Sequence, residues 1–294
     1  MQRKKRVLVT GGAGQLATTL QRTVHSIEES IEFEFANSKD MDITNPGAVT
    51  EFFNKGNFDY CVNCAAYTQV DKAEEDSETA LLINQQGAKN LAKACHGSNA
   101  KLIHISTDFV FDGTQSSPYK ETDRPSPLGI YGHSKFKGEQ EVVRNMDQYF
   151  IIRTSWLYSA YGHNFFKSML KYGRERDQLS VVYDQVGTPT SAHDLSKVIL
   201  KIISEEIDNY GIYHFSNEGV ASWYDFAAAI FEINQIEVDL SPIRSKEYPT
   251  PAERPSYSVL DKAKIKQVLK MDIPHWRESL VSVSEILKRE SGHL

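Results

Sequence analysis

Tyr131-Gly-His-Ser-Lys135 sets a phenol and an amine four residues apart, downstream of Ser106-Thr107-Asp108 and of Gly11-Gly12-Ala13-Gly14. On a helix, positions i and i+4 share a face, so the Lys135 ammonium is expected near the Tyr131 phenol, where it favours the ionised form. A phenol tuned in this way is a proton donor near neutral pH. Together the three pieces describe a hydride-transfer site.

The glycines give that site its cofactor. Gly11-x-x-Gly14-x-x-Ala17 lies between a strand-like run, Arg6-Val-Leu-Val-Thr10, and a segment of helical character, Gln15 to Val24. In that context Gly11 and Gly14 allow tight turning and close backbone approach, and Ala17 is small enough for helix and strand to pack. The helix N-terminus, opened by Gln15 and Leu16, then meets a pyrophosphate. At the end of the second strand, where many NAD sites carry an acid for the ribose hydroxyls, the chain has Ala36-Asn37-Ser38-Lys39. Without a carboxylate there a 2′-phosphate is not repelled, so NADPH is expected to be accepted and preferred, with NADH also used. Lys39 is either a partner of that phosphate or a solvated surface charge. Asp42-Ile43 resembles an acidic-apolar pair that caps an adenine ring, and Asn63-Cys64-Ala65-Ala66 offers small residues beside the cofactor ribose, with Tyr67 next to them as a further cofactor-binding candidate. Asn84 is either a structural bond between helix and strand or part of a proton relay.

These residues need a scaffold that brings strand ends together. Ile31-Glu-Phe-Glu-Phe35, Asp59 to Ala66, Lys101 to Ser106 and Tyr149 to Arg153 read as further strands, separated by helical segments that include Leu81 to Cys95 and the one carrying Tyr131 and Lys135. Strands alternating with helices give an α/β fold: a doubly wound parallel sheet of the Rossmann kind, whose ligands bind at the carboxyl ends of the strands. Residues 1–154 are the expected dinucleotide-binding domain, with roughly 181–205, including amphipathic Asp194 to Ile203, packing back on it. Residues 155–294, with prolines clustered at Pro242, Pro249, Pro251 and Pro255, are expected to form mainly a smaller substrate lobe.

The bulk properties exclude other classes. The 294 residues are 40% hydrophobic and 24% charged, an ordinary globular balance, and the formal net charge of -6 argues against nucleic-acid binding. No apolar run is long enough to span a bilayer, and the basic start, Met1 to Arg6, leads into a strand as a solvated lead-in, so a cytoplasmic location without membrane attachment is expected. Three cysteines, Cys61, Cys64 and Cys95, form no disulfide framework; Cys61 and Cys64, three apart on a strand, point to opposite faces. His104 and His133 lack ligand-spaced partners and read as a core and a solvated-loop histidine, so no metal ligands are assigned. The acidic run Glu74-Glu75-Asp76 reads as a solvated helix face.

With these residues in hand the chain resembles the extended short-chain dehydrogenase/reductases and, within them, the dTDP-4-dehydrorhamnose reductase family. The resemblance runs nearly the whole length. It is carried by Gly14-Gln15-Leu16, Asn63 to Thr68, Val70-Asp-Lys-Ala73, Ser106 to Gly113, Tyr131 to Lys135, Arg153 to Tyr158, Asn164-Phe165, Asp184-Gln185-x-Gly187-x-Pro189-Thr190 and Arg254-Pro255 with Ser258. It departs at Ala17, where a third glycine is usual, and at Phe109, where a tyrosine is common and one hydrogen bond to the sugar is lost. The resemblance implies reduction of a dTDP-4-keto sugar by NAD(P)H, with Tyr131 protonating the alkoxide, Thr107 or Ser106 hydrogen-bonding the carbonyl, and Lys135 holding the nicotinamide ribose. It implies a nucleotide-sugar site that includes Thr107, Asp108, Phe109, Trp156, Asn164, Gln185 and Arg254, with a buried core tryptophan and a surface salt bridge as the alternatives for Trp156 and Arg254. Relatives sometimes carry Mg2+ at a dimer contact, which leaves a homodimer and that ion open.

Two other functions compete. A sugar-nucleotide epimerase uses the same Tyr-Lys pair and recycles its nicotinamide; a dehydratase is disfavoured because Phe109 stands where an additional acid is needed. A non-catalytic dinucleotide-binding subunit, like the relative that partners methionine adenosyltransferase, is weakened by retention of Tyr131, Lys135 and the Ser-Thr-Asp run.

Overall fold

A computed structural model of the chain describes residues 3–24, 30–290 and 292. Its elements, numbered in chain order, begin with β1 (Lys5–Thr10), α1 (Gln15–Val24), β2 (Ile31–Ala36), α2 (Pro46–Gly56), β3 (Tyr60–Asn63), α3 (Val70–Ala73), α4 (Ser77–Leu81), α5 (Ala88–Ser98), β4 (Lys101–Thr107), α6 (Ile130–Asn145) and β5 (Tyr149–Thr154). They continue with β6 (Leu157–Tyr158), α7 (Phe165–Glu175), β7 (Gln178–Val182), β8 (Val186–Gly187), β9 (Thr190–Ser191), α8 (Ala192–Ser204), β10 (Gly211–His214), β11 (Ala221–Ser222), α9 (Trp223–Asn234), β12 (Asp239–Ile243), α10 (Ala263–Leu269) and α11 (Trp276–Glu290).

The inner strands carry apolar runs because both of their faces are covered, while edge strand β2 alternates phenylalanine with glutamate. In β1, Val7 and Val9 pack with Leu16 and Leu20 of α1, while Leu8 between them packs with Val49 and Phe53 of α2. In β5, Phe150 and Ile152 join the first cluster and Ile151 the second. This period of two places one helical layer on each side of the sheet. Cys61 and Cys95 are buried in the second cluster, whereas Cys64, just beyond β3, packs partly buried against the first.

Six parallel strands follow the order β2-β1-β3-β4-β5-β10. Because β1 pairs with both β2 and β3, the chain winds outward in opposite directions from it, and the carboxyl ends of β1 and β3 form the switch point at which such sheets bind ligands.

The second half is more interleaved than its sequence implies. Of residues 181–205, α8 packs on α1 in the first cluster, but the stretch ahead of it belongs elsewhere: β7 pairs with β12 and β8 with β11. β10 is the sixth strand of the main sheet, and Ile265 and Leu269 of α10 cover the same face as α1. A strand as short as Gly-Ile-Tyr-His gives no readable alternation, so its return to the sheet is invisible in sequence. A separate core, with Phe166, Leu170, Phe226, Ile230, Trp276 and Leu280, joins α7, α9 and α11 into a smaller lobe.

Of the basic start, Met1 and Gln2 lie outside the described residues; Arg3 pairs with Asp59, and Arg6 with Glu32 and Glu34. Among the described residues no helix is long and apolar enough to cross a membrane.

Candidate active site

The turn after β1 is stitched to both neighbouring strands. Gly12 N donates to Ala36 O at the end of β2 (2.9 Å), and Gly14 N donates back to Gly11 O (2.8 Å). Gly11 has φ +67°, and a Cβ there would stand 2.7 Å from the Ala65 backbone nitrogen just past β3. Only glycine meets both demands. Beyond the turn α1 opens with Gln15 and Leu16, whose amides have no acceptor within the helix and form the positive end of its dipole. Ala17 is fully buried beneath them. A backbone drawn in this closely, ending in free amides, fits a dinucleotide pyrophosphate. The Gln15 side chain turns away: Nε2 donates to Leu157 O (3.1 Å) and Oε1 accepts from Asn164 (3.2 Å), so Gln15 offers the site its backbone.

At the rim of this cradle, Asn37 Oδ1 accepts from Lys39 N (2.8 Å) and Asn37 N donates to Asp40 (2.9 Å), leaving Ser38 and Lys39 exposed. Asp42 Oδ1 accepts from the amide (2.9 Å) and hydroxyl (2.8 Å) of Thr44. The Ile43 side chain is buried in the second cluster against Gly87, where a Cβ would stand 2.6 Å from Ile43 Cδ1. Cys64, Ala65 and Ala66 are partly buried, and buried Tyr67 is pinned by Asn84, whose Oδ1 accepts from Tyr67 N (2.9 Å) and whose Nδ2 donates to Tyr67 O (3.1 Å) and Ser134 Oγ (2.9 Å). Asn84 sits in a π-helical stretch, Leu82–Gly87, and its amide is committed to holding the loop after β3 onto α6.

α6 begins where Ile130 N donates to Glu74 Oε1 (2.8 Å), so Glu74 anchors the catalytic helix and is not part of a solvated face. Tyr131 and Lys135 follow one turn apart, and His133 is exposed on the same helix, not in a loop. Burial pushes the Tyr131 phenol up to about 12; a hydrogen bond from Thr107 pulls it down and the Asp108 charge raises it. Lys135 is not among the groups that set it, contrary to the expectation from spacing. The Lys135 ammonium reaches down to β4, donating to Ile105 O at 2.6 Å, and burial lowers the amine to about 8 against the opposing pull of Glu139 and Cys64. Spacing fixes the shared face, but a long side chain chooses its own direction along it. The phenol stays protonated at neutral pH, which is the form a proton donor needs.

Thr107 and Ser106 part company here. Ser106 Oγ donates to buried Glu139 (2.5 Å), while the Thr107 hydroxyl lies between Tyr131 and Asp108 Oδ1 (3.2 Å). Phe109 packs edge-on against the Tyr131 ring, centroids 5.6 Å apart at 71°. The Asp108 carboxyl is buried, which raises it to about 6 against hydrogen bonds from Ser258 and Thr107, and its Oδ2 has no partner.

Of the four remaining candidates, Trp156, Asn164 and Gln185 sit in the small lobe, and Arg254 lies against α3. Trp156, at φ +46°, lies flat on Trp223 with centroids 3.6 Å apart and planes 7° apart. Gln185 Oε1 accepts from Trp223 Nε1 (3.2 Å) and its Nε2 donates to Ser245 (3.0 Å). Asn164 Oδ1 caps α7 by accepting from Lys167 N (3.1 Å), and its Nδ2 donates to Ser159 O, Tyr161 O and Gln15. Arg254 donates to Asp71 (2.8 Å), Thr250 Oγ1 (2.5 Å) and Ala252 O (3.1 Å). Asn164 and Gln185 thus have internal hydrogen-bond partners, and Arg254 is engaged in the salt bridge.

The sequence model of the RmlD substrate binding domain family matches residues 5–289. A curated dTDP-4-dehydrorhamnose reductase of Aggregatibacter actinomycetemcomitans is 39% identical over 290 residues, covering 95% of this chain and 98% of that protein. The chain belongs to the dTDP-4-dehydrorhamnose reductase family. Among solved members of that family, the protein from Clostridium acetobutylicum is 42% identical with a TM-score of 0.92, covering 96% of this chain and 99% of its own. The Bacillus anthracis reductase, solved in complex with NADP, is 40% identical with a TM-score of 0.92 and the same coverage.

Beside the candidate residues of this reductase-family chain stand two that motif reading passes over. Glu139 was findable, since it continues the spacing of four from Tyr131 and Lys135. Trp223 was not: it opens α9, far from Trp156 in sequence, and only the folded lobe stacks the two rings.

Proposed function

We propose that the chain reduces the 4-keto group of dTDP-4-dehydro-L-rhamnose to give dTDP-L-rhamnose, using NADPH and, less readily, NADH. The observation that carries the reading is the meeting of Thr107 and Tyr131 at the carboxyl edge of the sheet, on the side where the glycine turn is built for a dinucleotide. A bound reduced nicotinamide supplies the hydride. As the carbonyl carbon accepts it, the oxygen becomes an alkoxide, and Tyr131 Oη gives that oxygen its proton. Thr107 donates a hydrogen bond to the same oxygen, and Phe109 keeps the phenol ring from turning. Lys135, with one N–H on Ile105 O, retains donors for the nicotinamide ribose. Arg254 is suited to the substrate diphosphate, since a guanidinium fork that holds the Asp71 carboxylate matches phosphate oxygens equally well. Trp156, stiffened by Trp223, supplies a flat apolar wall for the nucleotide.

The identities of 39% and 42% to reductases favour this reading over the epimerase, which has the same Tyr-Lys pair. Buried free thiols suit the cytoplasm, where we place the enzyme, as a homodimer. The test is to mix the purified chain with NADPH and the dTDP-4-keto sugar, following nicotinamide absorbance and product stereochemistry. One NADPH consumed per sugar, with rhamnose as product, supports the proposal; sugar inverted with no net NADPH loss rejects it. NADH as sole reductant would remove the cofactor preference, and light scattering checks the dimer.

A further inference from the structure

A threonine hydroxyl carries one proton and two lone pairs, and the fold gives the proton of Thr107 a destination other than the substrate. Thr107 Oγ1 accepts from Phe109 N (3.2 Å) in the turn that follows β4, and it donates to Asp108 Oδ1 (3.2 Å). Reduction of a ketone asks for the opposite arrangement. The oxygen that gains charge needs a donor, so the Thr107 proton has to point away from Asp108.

Asp108 is 2% exposed, yet its surroundings serve it poorly as a carboxylate. An ionised carboxyl offers about four lone-pair sites and no proton. Here Oδ1 has Thr107, the Ser258 hydroxyl supplies a second donor, and Oδ2 has no partner. Neither donor is a cation. Ser258 is held at this spot by main-chain bonds to β8, where Val186 N donates to Ser256 O (2.8 Å) and Ser258 N donates to Val186 O (2.8 Å). A buried anion with one bare oxygen is costly, and taking up a proton from solvent removes the charge. On Oδ2 that proton finds no acceptor; on Oδ1 it points at Thr107 Oγ1. The bond then runs the other way. Phe109 N and Asp108 fill both lone pairs of Thr107 Oγ1, and the threonine proton is left to turn outward, toward Tyr131 and the reacting oxygen. Around Asp108, α6 presents the Tyr131 phenol, which is neutral at physiological pH, and the segment beside β8 presents Ser258, which does not titrate. Burial raises the Asp108 carboxyl to about 6, in keeping with the bare oxygen.

We propose that Asp108 is a positioning residue for the reduction: protonated, it donates to Thr107 and turns the Thr107 hydroxyl toward the carbonyl oxygen; ionised, it draws that hydroxyl back. This rests on the reading of Thr107 as the donor to that oxygen. With Asp108 ionised, the forming alkoxide is short of one donor.

The test is the pH profile of kcat/KM for the dTDP-4-keto sugar at saturating NADPH, followed from about pH 5 to about pH 7 so that the Lys135 amine, lowered to about 8, stays mostly charged. In the wild-type chain the value should fall about tenfold across that range as Asp108 ionises. Asp108→Asn, neutral throughout, should lose the fall. So should Asp108→Leu combined with Ser258→Ala, which leaves no hydroxyl stranded opposite the leucine. Thr107→Val shows whether the effect passes through the threonine: turnover drops about a hundredfold, and what remains no longer varies over this range although Asp108 is still present. Thr107→Ser restores the hydroxyl and with it the fall. A flat wild-type profile overturns the proposal, as does a fall that survives in Thr107→Val or in an Asp108 variant with wild-type circular dichroism. Thr107→Val also separates the proposal from the reading beneath it: wild-type turnover there would reject the role of Thr107 and this proposal together, while a hundredfold loss beside a surviving fall rejects Asp108 alone.

Discussion

The carboxyl edge of the sheet and the lobe of α7, α9 and α11 were both expected to hold ligand-binding residues, and the fold treats them differently. At the sheet edge, polar groups keep capacity in hand: Asp108 Oδ2 has no partner, Lys135 uses one donor, and the first amides of α1 have no helical acceptor. In the lobe the corresponding groups are taken. Asn164 uses both ends of its amide on its own chain, and Gln185 bridges Trp223 and Ser245; Arg254, beside α3, is likewise held by Asp71. Among these candidates, the groups with polar capacity left over lie at the sheet edge, and those of the lobe are already engaged.

The strongest way to break that contrast is at Tyr131. Tyr131→Phe removes the proton donor and leaves the ring and its packing on Phe109 in place, so turnover should fall on the order of a hundredfold or more while NADPH affinity stays nearly unchanged. Stopped-flow absorbance and fluorescence titration give the two numbers separately. Turnover within tenfold of wild type would mean that another group at the edge supplies the proton.

Why the edge was readable and the lobe was not follows from how each is positioned. Gly11, Gly14, Tyr131 and Lys135 are related by one turn or one helix, so spacing alone brings them to a common place. Even there the reading stopped at the backbone: the direction taken by Lys135 toward Ile105, and the burial of Ile43 under Gly87, depend on packing from other elements. Trp156, Asn164, Gln185 and Arg254 are related only through tertiary pairing with Trp223, Gln15, Ser245 and Asp71. No local period encodes such pairs. The sixth strand was hidden for the same reason, since β10 is recognisable only by its partner β5.

A second prediction sharpens the contrast through the unmade bond at the edge. The Asp108 carboxyl is raised from 3.8 to about 6, so the fold favours its protonated form. The stability it lends is fully present below about pH 4 and is lost as pH rises through 6. Asp108→Asn carries no such charge. Relative to wild type, the variant should therefore gain stability between about pH 4 and pH 6 and level off above, by about 2 kcal/mol once imperfect replacement of the Thr107 and Ser258 bonds is allowed for. Urea unfolding of both proteins across that range measures the difference, and a flat difference would show that the buried oxygen is not strained by its charge.

The smallest effect is expected at Asn164, and it discriminates most cleanly. If Asn164 were a sugar ligand, Asn164→Ala would raise KM for the nucleotide sugar and leave the fold alone. Its Oδ1 instead caps α7, and its Nδ2 ties that helix to Gln15 beside the dinucleotide turn. Loss of an N-cap of this type costs about 1 kcal/mol. Asn164→Asp keeps the capping oxygen and gives up the amide donors. The alanine variant should melt about 2 °C lower with KM for the sugar within about twofold of wild type, and the aspartate variant should recover most of the cap while losing the link to Gln15. A tenfold rise in KM at unchanged melting temperature would move Asn164 back among the substrate contacts, and the saturated amide seen without ligand would then have to be a resting arrangement that the sugar displaces.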